Sequence, residues 1–414
     1  MSIQQHSKVT GLSGNEIFCL KKLNYTPGQL CIGNSVVSLG VGKGITSGLS
    51  TLAGGEVTEI TELILNGRKH AFDRIMAEAR QYGGAGLTGV SFDLINHGSN
   101  LEFLAIGSAI RNASNSAEPL SFSTSADAQQ LYCQIDSGFK PHQFVFGNVA
   151  YSIGMGGNIG GAFRSLKRGE VAQFTEIFDR TRHLALSRIK EEAKQSGANA
   201  VIGIQTSIMP FLGAQEMLMI GTASSHPALN QYLNDPVTSD MTNEELWNMV
   251  NIGYLPIQLV MGVSVYSLGF ASGFTSFMQS LAGGQVQGLT EILYEAREKA
   301  LERIQIAAQQ CHADEVVGVK TRVYDLGGGL VEFMVIGTAV KKFDGVKTLQ
   351  ENLPVQATIQ DRETFVDGTE GESVTGLNQA KAASATSTQG GPFSIIITIV
   401  IIVFYVILTF FRHH

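Results

Sequence analysis

Residues 188–203 read RIKEEAKQSGANAVIG, and the same landmarks recur at 74–89 (RIMAEARQYGGAGLTG) and 303–318 (RIQIAAQQCHADEVVG). Each stretch opens on Arg-Ile and closes on a glycine: Gly89, Gly203 and Gly318. The register holds in both directions. Upstream, Tyr25, Phe139 and Tyr254 each stand two residues before Pro27, Pro141 and Pro256. Gly33, Gly147 and Gly262 coincide, as do Thr61-Glu62, Thr175-Glu176 and Thr290-Glu291. Downstream the third copy gains one residue, and Ile106-Gly107, Ile220-Gly221 and Ile336-Gly337 close the units. This is internal triplication, which is read before any motif.

The repeats span 12–110, 126–224 and 241–340. The segments between them are rich in Ser, Asn, Ala and Pro. Residues 341–392 are rich in Thr, Gly, Gln, Ser and Ala and predict a flexible linker. Each repeat opens with a capping pattern, Ser13-x-x-Glu16, Asp127-x-x-Gln130 or Thr242-x-x-Glu245, ahead of a short helix. An aromatic-x-Pro turn and a β-branched strand follow. A Gly-rich loop then leads to a long helix, whose apolar stripe in copy three is Leu289, Ile292, Leu293, Ala296, Ala300 and Ile304. A strand hairpin ends the unit. The predicted class is α+β, an antiparallel sheet crossed by one long helix.

Composition narrows the function. Asp, Glu, Lys and Arg make up 16% of the 414 residues, against a usual share of about 25%. A 44% hydrophobic content excludes disorder over most of the chain. A net charge of −7 speaks against nucleic acid as a partner. The four cysteines are scattered without a C-x-x-C pair, so no disulfide framework or closed zinc site is expected. Residues 393–411 carry no charge. A helix of that length spans about 28 Å, close to a bilayer's hydrocarbon core. Phe393, Ile396, Ile399, Ile402, Tyr405 and Phe411 are the expected anchor residues. With no secretory signal before Thr10, the expectation is a single-pass tail anchor with the repeats on the cytoplasmic side.

Motifs for chemistry are weak. The Gly-rich segments 40–48, 154–161 and 269–273 contain neither nucleotide-loop spacing. Gly84 to Gly89 has a G-x-G-x-x-G, but it leaves a helix and enters a strand, the reverse order. Ser38, Ser152 and Ser267 recur without a recurring His or Asp, so no triad is supported and no enzyme is expected. The prominent repeated polar set is Glu62, Glu176 and Glu291 with Arg74, Arg188 and Arg303. The repeated Thr and Arg lie about 20 Å apart along an ideal helix, too far for one small site. Pairing of a glutamate in one unit with an arginine in the next predicts an oligomer interface.

The Gly-rich loop, the Arg-Ile helix, the segment Gly-Ala-Asn-Ala-Val-Ile-Gly-Ile (197–204) and the Ile-Gly-Thr-Ala ending (220–223) together resemble the YbjQ-like family. That family carries a heavy-metal-binding label. The resemblance implies a dodecin-subunit-like β-α-β-β fold and assembly into five-membered rings, and it implies no established enzyme activity. Metal is not expected here, because soft metals need clustered thiolates or imidazoles. Cys19 and Cys133 share a register position, but Asn248 takes it in copy three. His70, His97, His142, His183, His226 and His312 do not coincide between copies. No cofactor is expected. The functional expectation is a bacterial, tail-anchored, self-assembling scaffold. Its partners would be itself, in multiples of five, and the lipid bilayer. Five chains would build a pentamer of three stacked tiers that can tile a shell or cage on membrane. The alternative is an oligomeric module for a small molecule or metal.

Overall fold

The computed structural model describes residues 9–38, 55–97, 100–114, 119–152, 168–211, 214–268, 287–327 and 329–359. Repeat 1 holds α1 (Gly14–Lys22), β1 (Tyr25–Ser38), β2 (Gly55–Glu56), α2 (Thr58–Gln81), β3 (Gly86–His97) and β4 (Asn100–Asn112). After β5 (Phe122–Ser123), repeat 2 holds α3 (Ala128–Asp136), β6 (Lys140–Ser152), β7 (Gly169–Glu170), α4 (Ala172–Gln195), β8 (Ala200–Phe211) and β9 (Ala214–Ser225). A 3-10 turn at Pro227–Tyr232 and β10 (Val237–Thr238) lead to repeat 3. That repeat holds α5 (Asn243–Asn251), β11 (Tyr254–Ser267), α6 (Gln287–Gln310), β12 (Glu315–Gly327) and β13 (Leu330–Lys342).

Every repeat has one design. Its three long strands form an antiparallel sheet with the last strand in the middle, as in the order β1-β4-β3. The long helix between the first and second strands crosses this sheet. In α2 the buried stripe is Ile60, Ile64, Ala71, Ile75 and Ala79, spaced for one helix face. The short helices start as their sequences require. Ser13 and Thr242 complete reciprocal capping boxes with Glu16 and Glu245, and Asp127 accepts the Gln130 N–H at 2.8 Å.

Two sets of repeated glycines have physical causes. A Cβ on Gly33, Gly147 or Gly262 would overlap the helix carbonyl of Ala71, Ala185 or Ala300, so only glycine lets the helix lie this close to the sheet. Gly89, Gly203 and Gly318 have φ of 65°, 63° and 64°. They sit where the strand register slips by a bulge, between Thr88 and Ser91, Ile202 and Gln205, and Val317 and Lys320.

One expectation needs correction. The segment from 341 onward is not a free tether along its whole length. β13 continues to Lys342, and the chain then turns back across the short helices. Leu349 N–H donates to the Asp136 carbonyl at 2.8 Å, and the Gln129 amide donates to the carbonyls of Gln356 and Ile359. Ala357 packs with Cys19, Tyr132, Cys133 and Trp247. Side chains on the three short helices need this cover, which the polar composition of the segment concealed. The Gly-rich loops 40–48, 154–161 and 269–273 lie outside the described residues, as does the expected anchor 393–411. Among the described residues no helix is long and apolar enough to cross a membrane.

Candidate assembly interface

The long helices of repeats 1 and 2 also serve the next repeat's sheet. The backbone makes the first contact. β2, just ahead of α2, pairs antiparallel with the end of β6, matching Glu56 with Tyr151 and Gly55 with Ser152. Val57 N–H donates to the Ala150 carbonyl at 2.8 Å, and Ala150 N–H donates to Thr61 Oγ1 at 2.9 Å. One turn of helix therefore caps an edge strand that belongs to another unit, which removes an open sheet edge.

Apolar packing follows. Ile60, Ile64, Phe92 and Phe103 of repeat 1 share one core with Phe144, Phe146, Ala150 and Leu218 of repeat 2. Phe92 meets Phe144 and Phe146 edge-on at centroid distances of 5.3 and 5.0 Å, a favoured aromatic geometry. Deep in this contact Arg68 forms a two-pronged ion pair with Glu216, its Nη2 lying 2.8 Å from Oε2. Both side chains are buried. At the margin Arg188 on α4 bridges back to Glu56 at 2.7 Å and donates to the Asn148 carbonyl.

The contact between repeats 2 and 3 is the same contact moved along the register. β7 pairs with the end of β11. Val171 N–H donates to the Val265 carbonyl at 2.8 Å, and Val265 N–H donates to Thr175 Oγ1 at 2.9 Å. Arg182 pairs with Glu332 at 2.8 Å, both fully buried, and Arg303 bridges back to Glu170 at 2.7 Å. The Arg182 guanidinium lies 4.6 Å from the Tyr151 ring centroid and donates to the Tyr151 hydroxyl at 2.7 Å. Burial pushes the Glu332 carboxyl upward while the Arg182 charge pulls it down. Such a pair costs desolvation to bury, and its worth lies in fixing orientation and register.

The structure separates the six interface residues expected from sequence. Arg188 and Arg303 lie at repeat contacts, but their acidic partners are Glu56 and Glu170. Glu62, Glu176 and Glu291 are exposed on their helices. Arg74, which has no preceding repeat in the chain, donates to the Asn34 carbonyl. The buried pairs Arg68–Glu216 and Arg182–Glu332 were missed. Their signal is in the sequence: Arg68, Arg182 and Arg297 share one register position, and Glu102, Glu216 and Glu332 share another.

The cysteines of the short helices do not suit a metal centre. Among the described residues no three His, Cys, Asp or Glu side chains gather as a metal set. Cys19 and Cys133 are buried beside Tyr132 and Trp247 in an apolar cluster. Burial pushes the Cys19 thiol up to about 11 and raises Cys133 as well. That disfavours the thiolate a soft metal would need.

Comparison with known proteins agrees with this architecture. The YbjQ family profile, described as "Putative heavy-metal-binding", matches residues 24–113, 138–226 and 251–342. An encapsulin nanocompartment protein of Mycobacterium tuberculosis is 30% identical over 219 residues, covering 51% of this chain and 82% of that protein. A UPF0145 protein of Thermoplasma acidophilum is 34% identical over 109 residues, 25% of this chain and 92% of its own length. A UPF0145 protein of Thermotoga maritima is 42% identical over 80 residues, 19% of this chain and 76% of its own. With three matched copies over more than half its length, the chain belongs to the YbjQ family as a tandem member.

Proposed function

We propose that the chain is the subunit of a self-assembling scaffold that builds a shell or cage. One observation carries this reading: successive repeats join by one asymmetric contact, made twice with the same register positions. A contact between two different faces does not end itself, and it grows into a ring where the rotation closes and into a filament where it does not. The similarity to an encapsulin nanocompartment protein supports the cage form.

The sequence suggested five chains in three stacked tiers. The repeat contact lies within one chain, which favours repeats set side by side along an arc over repeats stacked as tiers. We further propose that 393–411 tethers the assembly to a bilayer, with the repeats on the cytoplasmic side. Light scattering on full-length protein in mild detergent tests the scaffold reading. A defined multi-chain particle is expected, and single chains at micromolar concentration would refute it. Removing 393–414 should move the protein from the membrane to the soluble fraction, and continued pelleting with membrane would refute the anchor.

A further inference from the structure

If each internal contact joins a helix face to a sheet face, one chain ends with one unused copy of each. We infer that these two ends bind each other between chains: the α6 side of repeat 3 docks on the β1–β4 sheet of repeat 1 in a second copy. This deepens the scaffold reading and rests on it.

The register makes the argument residue by residue. Ile32 and Val36 on β1 are 50% and 58% exposed. Their counterparts are buried beneath the preceding repeat: Phe146 and Ala150 on β6, and Met261 and Val265 on β11. At the other end, Arg297 occupies the position of the buried Arg68 and Arg182, yet it is exposed and has no ion pair among the described residues. Glu102 occupies the position of Glu216 and Glu332. In place of a neighbour's arginine it holds His97 Nε2 at 2.8 Å and the Asn34 amide at 3.2 Å. Arg297 and Glu102, neither of which meets its repeat partner within the chain, are therefore opposite in sign, and they stand where an arginine–glutamate pair closes both internal contacts.

A second line of evidence comes from sheet edges. β5 adds in parallel to β3, and β10 adds in parallel to β8. Both are lead-ins to the following repeat. β12 carries no such strand among the described residues, and Val319 on it is 45% exposed where Val90 and Ile204 are buried. The corresponding lead-in of repeat 1 includes Val9, which is exposed, whereas its counterparts Ser123 and Thr238 are buried. The lead-in of a second copy thus has a vacant edge to join, by the same strand addition used inside the chain. Because each chain brings three repeats, any ring closed through this contact holds a multiple of three repeats. A five-repeat ring cannot be closed from whole chains in this way.

Reversed charges test the contact without touching the two buried arginine–glutamate pairs inside the chain. Full-length Arg297→Glu and Glu102→Arg are each purified, and particle mass is followed against concentration. Each single variant should need at least tenfold more protein to assemble. The Arg297→Glu/Glu102→Arg double variant should recover parental assembly, since every junction regains opposite charges. Parental protein that is multi-chain, with single variants that assemble as it does, would overturn the head-to-tail contact and leave the scaffold reading standing. Single variants that fail without rescue by the double variant would also overturn it. Parental protein that stays single-chain would overturn the scaffold reading itself.

Discussion

The buried Arg182–Glu332 pair offers a sharp test of how the repeats are joined. Both side chains are sealed from solvent, and Glu332 takes Nε and Nη2 of Arg182 at 2.8–3.2 Å. Arg182→Met leaves a buried carboxylate alone, and Glu332→Leu leaves a buried guanidinium alone. Each should cost about 3–5 kcal/mol. With both charges gone, the double variant should return to within about 1 kcal/mol of the parent, because nothing charged is left to desolvate. Tyr151 keeps a partner throughout, donating to Gln215 at 2.6 Å. The assay is urea unfolding of the full chain at pH 7, followed by the fluorescence of Trp247, the only tryptophan. Circular dichroism checks that the transition is shared by the whole fold. The loss in Arg182→Met should also shrink at pH 5, since a lone buried carboxyl is readily protonated. Losses below about 1 kcal/mol for both singles would refute the reasoning, as would losses that simply add in the double variant.

Two further outcomes follow from the same structure. Gly147→Ala should destabilise by about 1–3 kcal/mol, because the added methyl would stand 2.5 Å from the Ala185 carbonyl and 2.7 Å from the Ile189 nitrogen; an unchanged urea midpoint would contradict the close helix–sheet approach. Asp127, half-buried at the start of α3, has its carboxyl raised from 3.8 to about 7, by desolvation first and then by the nearby charges of Glu16 and Glu244. The folded state therefore holds this proton more tightly than the unfolded chain does. Its contribution is full below about pH 4 and fades as pH rises through 7, on the order of 4 kcal/mol in all. Asp127→Asn keeps the cap acceptor and should flatten the fall in stability between pH 4 and 8. An equal slope in parent and variant would contradict the assignment.

Much of the unit was legible in sequence because its landmarks answer to local constraints. Gly147 lies under a crossing helix, Gly203 sits in a bulge at positive φ, and Thr242 caps a helix three residues before Glu245. Each demands one residue type at one place, so each survives in register. The interface was harder to read, since its pairs join residues far apart in the chain. Arg68 meets Glu216 across 148 positions, and neither has a repeated neighbour that draws notice. Thr61-Glu62 drew notice, but consecutive helical residues point in different directions. With Thr61 turned into the next repeat, Glu62 faces solvent. The partners of Arg188 and Arg303 are supplied by the two-residue strands β2 and β7, too short to leave a periodic signal. The strap after Lys342 was illegible for a related reason: it holds on mainly through backbone groups, which composition does not display.

Chemical cross-linking of mixed chains tests the central claim most directly. Full-length protein labelled with heavy nitrogen is assembled with unlabelled protein, so that a link between different chains is recognised by its hybrid mass. The account predicts hybrid links joining residues 287–323 of one chain to residues 9–38 and 100–112 of another. Hybrid links confined to other surfaces, in particles that still contain several chains, would contradict it.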